Sequence, residues 1–463
     1  MRHSAPHSAA GSEGASDGRW ARLAYTQLFR LLLPIMLLRL WWRGRVQPAY
    51  RSRWRERFGF ISLPTAFRGD SVLWVHAVSV GETQAAEALI RALLAQDAAL
   101  AIVITTTTPT GAAQVRKLFA ADLAAEGRPG RLFHSYAPFD MPGSIKRFIG
   151  ECRPRALLVM ETEVWPNWLA VCQSRAIPAY LINARLSERS ARGYRRIQRL
   201  AEPAFRAFTH ICAQAGADAD RLLALGARTE ALSVTGSIKF DQSISLDDET
   251  LRQLVANEVA AERFTWIAAS THEGEEQLVI DVHARLLQQH PGALLILVPR
   301  HPDRFDRVDG LLARSSLSHV RRTQIPDQAG LVRTADVLLV DSMGELLYFY
   351  ERSDLAFVGG SLVNNGGHNP LEPAALGKAV VMGDSQFNFA DICSQLSGAG
   401  ALLTVDRLSL EATVSSFAQT PGLAREAGEK GRAFVVANRG AIGRVCERIL
   451  PGLRPPPATI TES

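Results

Sequence analysis

The chain has 463 residues, a hydrophobic content of 47% and a formal net charge of +6 at pH 7. That length exceeds one ordinary domain and predicts two, while the hydrophobic content excludes an intrinsically disordered chain. The five cysteines are scattered and form no CxxC pair. They argue against a disulfide framework and against a zinc site, and they indicate a reducing compartment.

The N-terminal part of the chain changes composition twice. Residues 1–20 are rich in Ser, Gly, Ala and His, which predicts a disordered tail. Residues 21–45 contain the apolar run LFRLLLPIMLLRLWW, whose interior charges make it a marginal transmembrane helix. An Arg-rich run follows in place of a small-residue cleavage site, which argues against a signal peptide. The Arg-rich run consists of Arg43, Arg45, Arg51, Arg53, Arg55 and Arg57.

Three interpretations of residues 21–45 are open: a membrane span, an interfacial helix, and a buried amphipathic helix of the first domain. We favour membrane contact, because the apolar run and the following arginines together suit anionic lipid on the cytoplasmic side of a membrane. The sequence does not decide whether residues 25–42 span the membrane or lie on it.

From Val72 onward, short apolar runs alternate with helical patterns, which predicts parallel sheets covered by helices on both faces. The alternation stops near Asp241 to Asp248 and then restarts. We therefore predict two Rossmann-like, doubly wound domains, 46–243 and 244–450, followed by a flexible C-terminus, 451–463. The predicted strands are Val72–Val75, Ala99–Thr108, Ala156–Glu161, Ala179–Ala184, His210–Gln214, Leu232–Ser237, Phe264–Ser270, Ala293–Pro299, Asp336–Asp341, Leu355–Gly360 and Ala379–Gly383.

Doubly wound sheets bind ligands at the carboxyl ends of their strands, and two such domains in tandem predict a cleft between them. One candidate at such an end is Glu82 in WVHAVSVGET, where a buried strand gives way to helix formers. An acid in the first turn of a helix is favourable in its own right. Glu82 is therefore either a residue that stabilises the helix start or a general base.

Other polar residues of the first domain follow the same rule. Glu161 and Glu163 come directly after the strand that ends near Met160, and Lys239 and Asp241 follow the last predicted strand of the domain. Because the carboxyl ends of parallel strands share one edge of the sheet, we expect these side chains to lie at the same edge.

In the second domain, Arg300 and His301 follow one strand, and SMGEL (342–346) follows another. A third strand runs into GGHNPLE (366–372), where Asn369, Pro370 and Glu372 could simply cap a helix. The alternative interpretation is a nucleotide site, with phosphate at the helix N-terminus and a carboxylate on the ribose. The remaining histidines have no metal-ligand spacing, so we expect no metal.

Taken together, these blocks resemble the 3-deoxy-D-manno-oct-2-ulosonic acid (Kdo) transferases, glycosyltransferase family 30. The resemblance extends from about Leu28 to about Arg444. It rests on seven ordered blocks: VHAVSVGE, ETEVWPNW, NARLS, TGSIKFD, PRHPDRF, DSMGEL and GGHNPLEPAALGKAVVMG. It implies the GT-B fold, two Rossmann-like domains facing a cleft, with the acceptor in the first domain and CMP-Kdo in the second.

The resemblance also assigns roles to residues. It implies Glu82 as the general base and Glu163 and Lys239 as transition-state helpers, in an inverting transfer that needs no metal or other cofactor. Ser79 and Gly81 are acceptor-side candidates. The implied CMP contacts are Arg300, His301, Met343, Gly344, Glu345, Asn369, Pro370, Leu371 and Glu372.

The implied partners are CMP-Kdo, the lipid A precursor lipid IVA, and the inner membrane surface, with the catalytic domains on the cytoplasmic side, in a Gram-negative cell. We expect no nucleic acid and no required protein partner. The strongest alternative is another two-domain nucleotide-sugar enzyme, such as a UDP-sugar epimerase. A membrane-bound nucleotide-sugar binding protein without turnover is a further alternative. Glu82, Glu163 and Lys239 argue against it, because binding alone would not require them.

Overall fold

The computed structural model describes residues 10–64, 67, 72–124, 130–241, 246–259, 263–327 and 334–453, with side chains from residue 18 onward. Residues 1–9 of the predicted tail and residues 454–463 of the predicted C-terminus lie outside the described part. The chain divides into two compact units, Met1–Gln242 with Arg439–Ser463, and Ser243–Asn438.

The first helix, α1, covers Ala10–Arg43. The structure therefore corrects the predicted tail, because residues 10–20 continue the helix toward the N-terminus. The composition of this stretch does not explain the helix, because its three glycines have low helix propensity and outnumber its two alanines. Pro34 lies inside the helix without ending it.

The first unit contains a sheet of seven parallel strands in the order β3-β2-β1-β4-β5-β6-β7. The strands are β1 Val72–His76, β2 Ala101–Thr106, β3 Leu132–Tyr136, β4 Ala156–Met160, β5 Ala179–Ala184, β6 His210–Ala213 and β7 Leu232–Val234. The helices that follow α1 in this unit are α2 Trp54–Arg57, α3 Val80–Gln96, α4 Pro109–Leu118, α5 Pro142–Cys152, α6 Pro166–Ser174, α7 Glu188–Arg196, α8 Gln198–Arg206 and α9 Gly216–Leu223.

Every residue of β1 is buried, because helices cover both faces of the sheet. On one face, the Trp74 ring contacts the rings of Phe148 and Trp168, each with a centroid distance of 4.6 Å. On the other face, Val75 packs in a cluster with Leu89. This two-sided burial explains why the strands are continuous apolar runs in the sequence.

The second unit repeats the plan with strand order β10-β11-β9-β8-β12-β13-β14. The strands are β8 Thr265–Thr271, β9 Leu294–Pro299, β10 His319–Arg321, β11 Val337–Leu339, β12 Leu355–Val358, β13 Ala379–Met382 and β14 Leu402–Thr404. The helices are α10 Glu249–Glu258, α11 Glu276–Gln289, α12 Phe305–Ala313, α13 Leu346–Arg352, α14 Leu371–Ala375, α15 Ala390–Gly398, α16 Ser409–Gln419 and α17 Pro421–Asn438. The predicted fold class, two doubly wound α/β domains, is confirmed.

The last helix, α18 (Ala441–Leu453), belongs to the first unit, so the structure corrects the second-domain boundary of 450. Val445 and Ile449 of α18 are fully buried in the cluster that covers one face of the first sheet. The carboxylate of Asp241 accepts the backbone N–H of Gly440 at 2.6 Å and of Ile442 at 2.5 Å. Asp241 is thus a capping residue for α18. The chain returns to the first unit because α18 buries its apolar face there.

One face of α1 is docked on the first unit. Thr26 is buried, and its Oγ1 accepts a hydrogen bond from the Asn167 side chain at 3.0 Å. The Phe29 ring lies 6.2 Å from that of Phe139. The opposite face is apolar and exposed, with Leu31, Ile35, Leu38 and Trp42 among its members.

Candidate functional site

Glu82 lies in the first turn of α3, and its environment serves both interpretations of its role. The Ser79 hydroxyl accepts the Glu82 N–H at 3.3 Å, which makes Ser79 the N-cap of the helix. The Glu82 carboxylate in turn accepts the N–H of Val78 at 2.8 Å and the hydroxyl of Ser79 at 3.3 Å. Gly81 is exposed beside it. The capping geometry fixes where the carboxylate stands, at the carboxyl end of β1.

The electrostatics of Glu82 differ from those of an ordinary cap. Burial, the largest cause, and the neighbouring carboxylates of Glu161 and Glu163 raise the pKa of Glu82 to about 8. The Val78 N–H and the Ser79 hydroxyl oppose that rise only in part. A carboxyl group with a pKa near the working pH can exchange a proton with a substrate hydroxyl, which a fully ionised surface cap does poorly.

Lys239 and two glutamates lie at the same edge of the first sheet. The Lys239 Nζ is 3.0 Å from Glu161 Oε1, so the ion pair forms with Glu161 and not with Glu163. Burial raises the pKa of Glu163, and the neighbouring Trp165 indole opposes the shift. The sequence predicted that Glu161, Glu163 and Lys239 share an edge, and the structure brings all of them there with Glu82.

In the second unit, the carboxyl ends of β8, β9 and β12 carry three histidines. His272 Nε2 lies 2.8 Å from His368 Nε2, and their rings are stacked at an interplanar angle of 3°. The ring of His301 lies 5.5 Å from that of His272. His272 and His368 were not among the predicted site residues, although His272 follows a predicted strand and His368 belongs to the GGHNPLE block (366–372).

This histidine cluster is electropositive. Burial first, then Arg300, His272 and His301, lower the pKa of His368 to about 3. Burial first, then His301, Arg300 and Arg304, also lower the pKa of His272. Among the residues that the structure describes, Arg300 forms no ion pair. The cluster therefore presents a cation and neutral imidazoles where an anionic ligand is favoured.

A buried carboxylate holds two of these strand ends together. Glu275 is fully buried, and its carboxylate accepts four backbone N–H groups, from His272 at 2.9 Å, Gly360 at 2.8 Å, Ser361 at 3.1 Å and Leu362 at 2.9 Å. The first donor follows β8 and the other three follow β12. Glu275 thereby fixes the loop that places His272 next to the segment containing His368.

The predicted block 369–372 forms a compact network. The Asn369 Oδ1 accepts the N–H of Leu371 at 3.1 Å, and the Asn369 Nδ2 donates to Glu372 Oε1 at 3.1 Å. Pro370 directly precedes α14. Burial raises the pKa of Glu372, while Asn369 and Arg300 oppose that rise. Glu372 accepts from a side-chain amide, which differs from the backbone bond that a capping box requires.

The block 343–345 is divided between exposed and paired residues. Met343 is exposed, and Gly344 has a left-handed φ of +92° beside it. Glu345 accepts a hydrogen bond from the Ser342 hydroxyl and pairs with Arg322, 3.3 Å from the Arg322 Nε. The Glu345 side chain is therefore held by the protein, and Met343 and Gly344 are the members of the block open to solvent.

Two tandem units, each with a doubly wound parallel sheet, define the GT-B class. Among solved structures, UDP-GlcNAc 2-epimerase from Neisseria meningitidis bound to UDP-GlcNAc is similar in fold. Its TM-score is 0.52 at 14% identity, over 82% of this chain and 99% of that chain. At this level of identity the likeness concerns the fold alone.

The sequence comparisons are more specific. A family model described as 3-deoxy-D-manno-octulosonic-acid transferase matches residues 52–242. The 3-deoxy-D-manno-octulosonic acid transferase of Haemophilus influenzae is 37% identical over 438 residues, 93% of this chain and 99% of the relative. The Bordetella pertussis protein of the same name is 36% identical over 92% of this chain and 98% of its own. The chain belongs to the Kdo transferase family, and it is a glycosyltransferase.

Proposed function

We propose that the protein transfers Kdo from CMP-Kdo to a hydroxyl of a lipid A precursor, lipid IVA, with inversion at the anomeric carbon and Glu82 as the general base. The observation that carries this proposal is the Glu82 carboxyl group, partly buried at the carboxyl end of β1, with its pKa raised to about 8. A base with a pKa near the working pH contributes about 10²–10⁴-fold to such reactions.

In this mechanism, Glu82 removes the proton of the attacking acceptor hydroxyl as the bond from the anomeric carbon to the CMP phosphate breaks on the opposite side. Ser79 and Gly81, beside Glu82, lie against the acceptor. The positive charge of Lys239 opposes the negative charge that develops on the departing phosphate, and Glu163 assists at the same edge. Catalysis of this kind depends on pre-placed charges at the reacting atoms.

The donor-binding proposal rests on the second unit. Arg300 and His301 take the anionic groups of CMP-Kdo, because Arg300 is unpaired among the described residues and lies beside the neutral His272 and His368. Glu372, oriented by its bond to Asn369, accepts the ribose hydroxyls. Pro370 and Leu371, with the 343–345 block, complete the contacts to CMP.

The membrane proposal rests on α1. The helix contains one segment, Gly18–Arg43, that is long and apolar enough to cross a membrane, and only 6% of its most apolar window is buried. Because Thr26 and Phe29 are docked on the first unit, we propose that α1 lies in the bilayer surface. The catalytic units then stand on the cytoplasmic side of the inner membrane, where the acceptor lipid is presented.

The experiment that tests the proposed function is incubation of the purified protein with tetraacylated lipid IVA and CMP-Kdo generated in situ. The proposal expects lipid products heavier by whole Kdo residues in the mass spectrum. A parallel incubation with UDP-GlcNAc tests for epimerisation, the activity of the alternative enzyme class. Unchanged lipid together with epimerised UDP-GlcNAc would replace the proposed function with the alternative.

A further inference from the structure

Arg57, at the carboxyl edge of the first sheet, is a buried arginine that the proposed mechanism does not use. It is 5% exposed and forms no ion pair in the part of the chain that the structure describes. Its Nη2 donates to the Thr107 carbonyl at 2.9 Å, and its Nε is buried without a hydrogen-bond partner. Arginine is rarely buried unless it is paired, because desolvation of its charge is costly. Arg57 is therefore a candidate for binding an anion.

A second arginine lies against the same aromatic ring. The guanidinium of Arg57 is 4.3 Å from the centre of the Tyr136 ring, and that of Arg53 is 5.1 Å from it. Glu56 offsets only one of the two charges, since its Oε1 pairs with the Arg53 Nε at 2.6 Å and its Oε2 accepts the Tyr136 N–H at 2.8 Å. Each Nη of Arg53 makes one bond to His134, which leaves each with a second N–H for a ligand.

His134, in β3, is sensitive to the same excess of positive charge. Burial first, then Arg53 and Arg116, lower the pKa of His134 to about 3, so the ring is neutral. Arg116 is exposed on α4, the helix whose N-cap is Thr108 and whose first turn has no acidic residue. Because the amino end of a helix also favours an anion, α4 adds to the attraction exerted by the arginines.

The strand order places these groups next to Glu82. Thr107 directly follows β2, and its N–H and its hydroxyl both donate to the Val78 carbonyl at 3.4 Å. The N–H of Val78 donates to the Glu82 carboxylate at 2.8 Å. Val78 thus lies between Glu82 and the loop that binds Arg57. In the order β3-β2-β1-β4-β5-β6-β7, the arginines stand on the β2–β3 side of Glu82, and Lys239, which follows β7, stands on the other side.

We propose that Arg53, Arg57 and the amino end of α4 bind a phosphate group of the acceptor while the attacking hydroxyl lies at Glu82. This inference rests on the proposed function. A lipid A precursor carries phosphate monoesters on a glucosamine disaccharide, and guanidinium groups bind phosphate with parallel, charge-assisted hydrogen bonds. The site selects a phosphorylated acceptor and fixes its orientation, so that the sugar approaches Glu82 from the β2–β3 side.

The test uses soluble ligands, so that membrane attachment does not affect the result. They are the bisphosphorylated glucosamine disaccharide without acyl chains and the same disaccharide without phosphates. We expect wild type to bind the bisphosphorylated form at least tenfold more tightly, measured by calorimetric titration. Arg57→Met retains the apolar stem and removes the charge, and it should reduce this preference to less than threefold in protein whose fold a denaturant melt verifies. Arg53→Gln changes a side chain that is 32% exposed and should reduce the preference at least threefold.

The matched control is Arg91→Met. The Arg91 guanidinium also lies over an aromatic ring, 5.4 Å from the centre of Phe119, and donates to a carbonyl, that of Leu118 at 2.8 Å. It lies in the last part of α3, far along the helix from Glu82, so the preference should equal that of wild type. The affinity for CMP should be unchanged in all three variants, because the proposed CMP contacts lie in the second unit.

Two binding results would overturn the inference. One is equal affinity of wild type for the two disaccharides, and the other is a full preference in both Arg57→Met and Arg53→Gln. Glycerol phosphate, the part of an ordinary phospholipid headgroup that carries the charge, is a further ligand. We expect it to bind at least tenfold more weakly than the bisphosphorylated disaccharide. Equal affinity for the two would mean that the site recognises phospholipid headgroups and not the acceptor.

Transfer assays separate this inference from the proposed function. With dephosphorylated lipid IVA, wild type should have a KM for the lipid at least tenfold higher than with lipid IVA, whereas Arg57→Met should have similar KM values for both. Transfer by wild type with equal KM values would overturn the phosphate site and leave the proposed function supported. A wild type that binds the bisphosphorylated disaccharide through Arg57 but transfers no Kdo would contradict the proposed function and leave the phosphate site supported.

Discussion

His272 and His368 share one hydrogen bond between their Nε2 atoms, 2.8 Å apart, across the ends of β8 and β12. One ring must donate and the other accept, so the bond requires at least one neutral imidazole. The pKa values of both histidines are lowered by burial and by basic neighbours. Protonation of both rings would place two cations in contact beside Arg300.

The first prediction concerns this pair and acid stability. The folded pKa of His368, about 3, lies below the ordinary value of 6.5, so the unfolded state binds the proton first. Stability is then lost as the pH falls below about 6.5. The loss continues down to about 3. We expect His368→Gln to lose about 2 kcal/mol less stability than wild type between pH 7 and pH 5, measured by denaturant melts at both values. If both proteins lose the same stability between the two pH values, His272 and His368 are not a neutral pair in the folded state.

The second prediction concerns Glu82. Glu82→Gln retains the fold and CMP binding but lowers transfer by about 10²–10⁴-fold. The activity of the wild type, as kcat/KM, rises as the pH rises through about 8, because only the ionised carboxylate accepts a proton. A variant that is slowed tenfold or less would be consistent with a cap and not with a base. Rates over pH 6 to 9 provide the measurement.

The same substitution makes a separate stability prediction. The folded pKa of Glu82, about 8, lies above the ordinary value of 4.5. The folded state therefore holds a proton that the unfolded state releases, and the native protein loses stability as the pH rises between those values. Glu82→Gln removes that dependence, so we expect it to be more stable than wild type by about 1–3 kcal/mol at pH 8 and by less at pH 5. Denaturant melts of both proteins at the two pH values measure this. If the variant and the wild type differ in stability by the same amount at pH 5 and pH 8, the pKa of Glu82 is not raised.

The third prediction separates ligand from cap at Glu372. If Glu372 accepts the ribose hydroxyls, Glu372→Ala removes a charge-assisted bond worth about 1.5–3 kcal/mol. That raises the dissociation constant of CMP roughly tenfold to a hundredfold. Calorimetric titration with CMP measures the affinity. Glu411→Ala, which breaks an exposed pair with Arg285 in the same unit, is the control and binds CMP normally. If Glu372→Ala binds CMP as tightly as wild type but is less stable to denaturant, Glu372 is a structural residue and not a ligand contact.

The fourth prediction concerns the exposed face of α1. Deletion of residues 1–45 would also remove Thr26 and Phe29, whose contacts dock α1 on the first unit. Substitution on the exposed face leaves those contacts in place. We expect Leu31→Gln, Ile35→Gln and Leu38→Gln together to release the protein from membranes while its turnover on detergent-solubilised acceptor persists. Sedimentation with vesicles at low salt is the measurement. Leu408→Gln, an exposed leucine of the second unit, is the control and stays with the membrane.

The fifth prediction concerns Glu275. Replacement by alanine leaves four buried backbone N–H groups without their acceptor, which we expect to destabilise the second unit by at least about 3 kcal/mol. Glu275→Gln retains one carbonyl acceptor and should lose less. Denaturant melts compare the two. An alanine variant as stable as wild type would mean that water replaces the carboxylate at no cost.

The interior strands were predictable and most of the edge strands were not. Strands such as β4 and β5 are buried on both faces and read as continuous apolar runs. Three strands lie outside the predicted set, β3, β10 and β14, and each is at an edge of its sheet. The run in β3 is interrupted by His134 and Ser135, and the other two have three residues each. An edge strand has one neighbour, so its sequence is less constrained toward apolar residues.

The candidate site was predictable in position but not in its pairings. Strand ends located Glu82, Glu161, Lys239 and Arg300, because parallel topology gathers these ends. Which glutamate pairs with Lys239 depends on the left-handed φ of Glu161, which no residue pattern reveals. The contact of His272 with His368 joins residues 96 positions apart, and Glu275 joins their loops through backbone donors that every sequence possesses.

The hydrogen bond between Thr26 and Asn167 has a mechanical consequence. Asn167 belongs to the same segment as Glu161 and Glu163, and its N–H donates to the buried Asp140 at 3.2 Å. The rotation and height of α1 against the first sheet are therefore set by polar contacts rather than by apolar fit alone. Under the proposal that the outer face of α1 lies in lipid, this bond would hold the first sheet at a fixed height above the bilayer surface. The edge that contains Glu82 would then stand at the level where the proposed acceptor lipid presents its sugar hydroxyl.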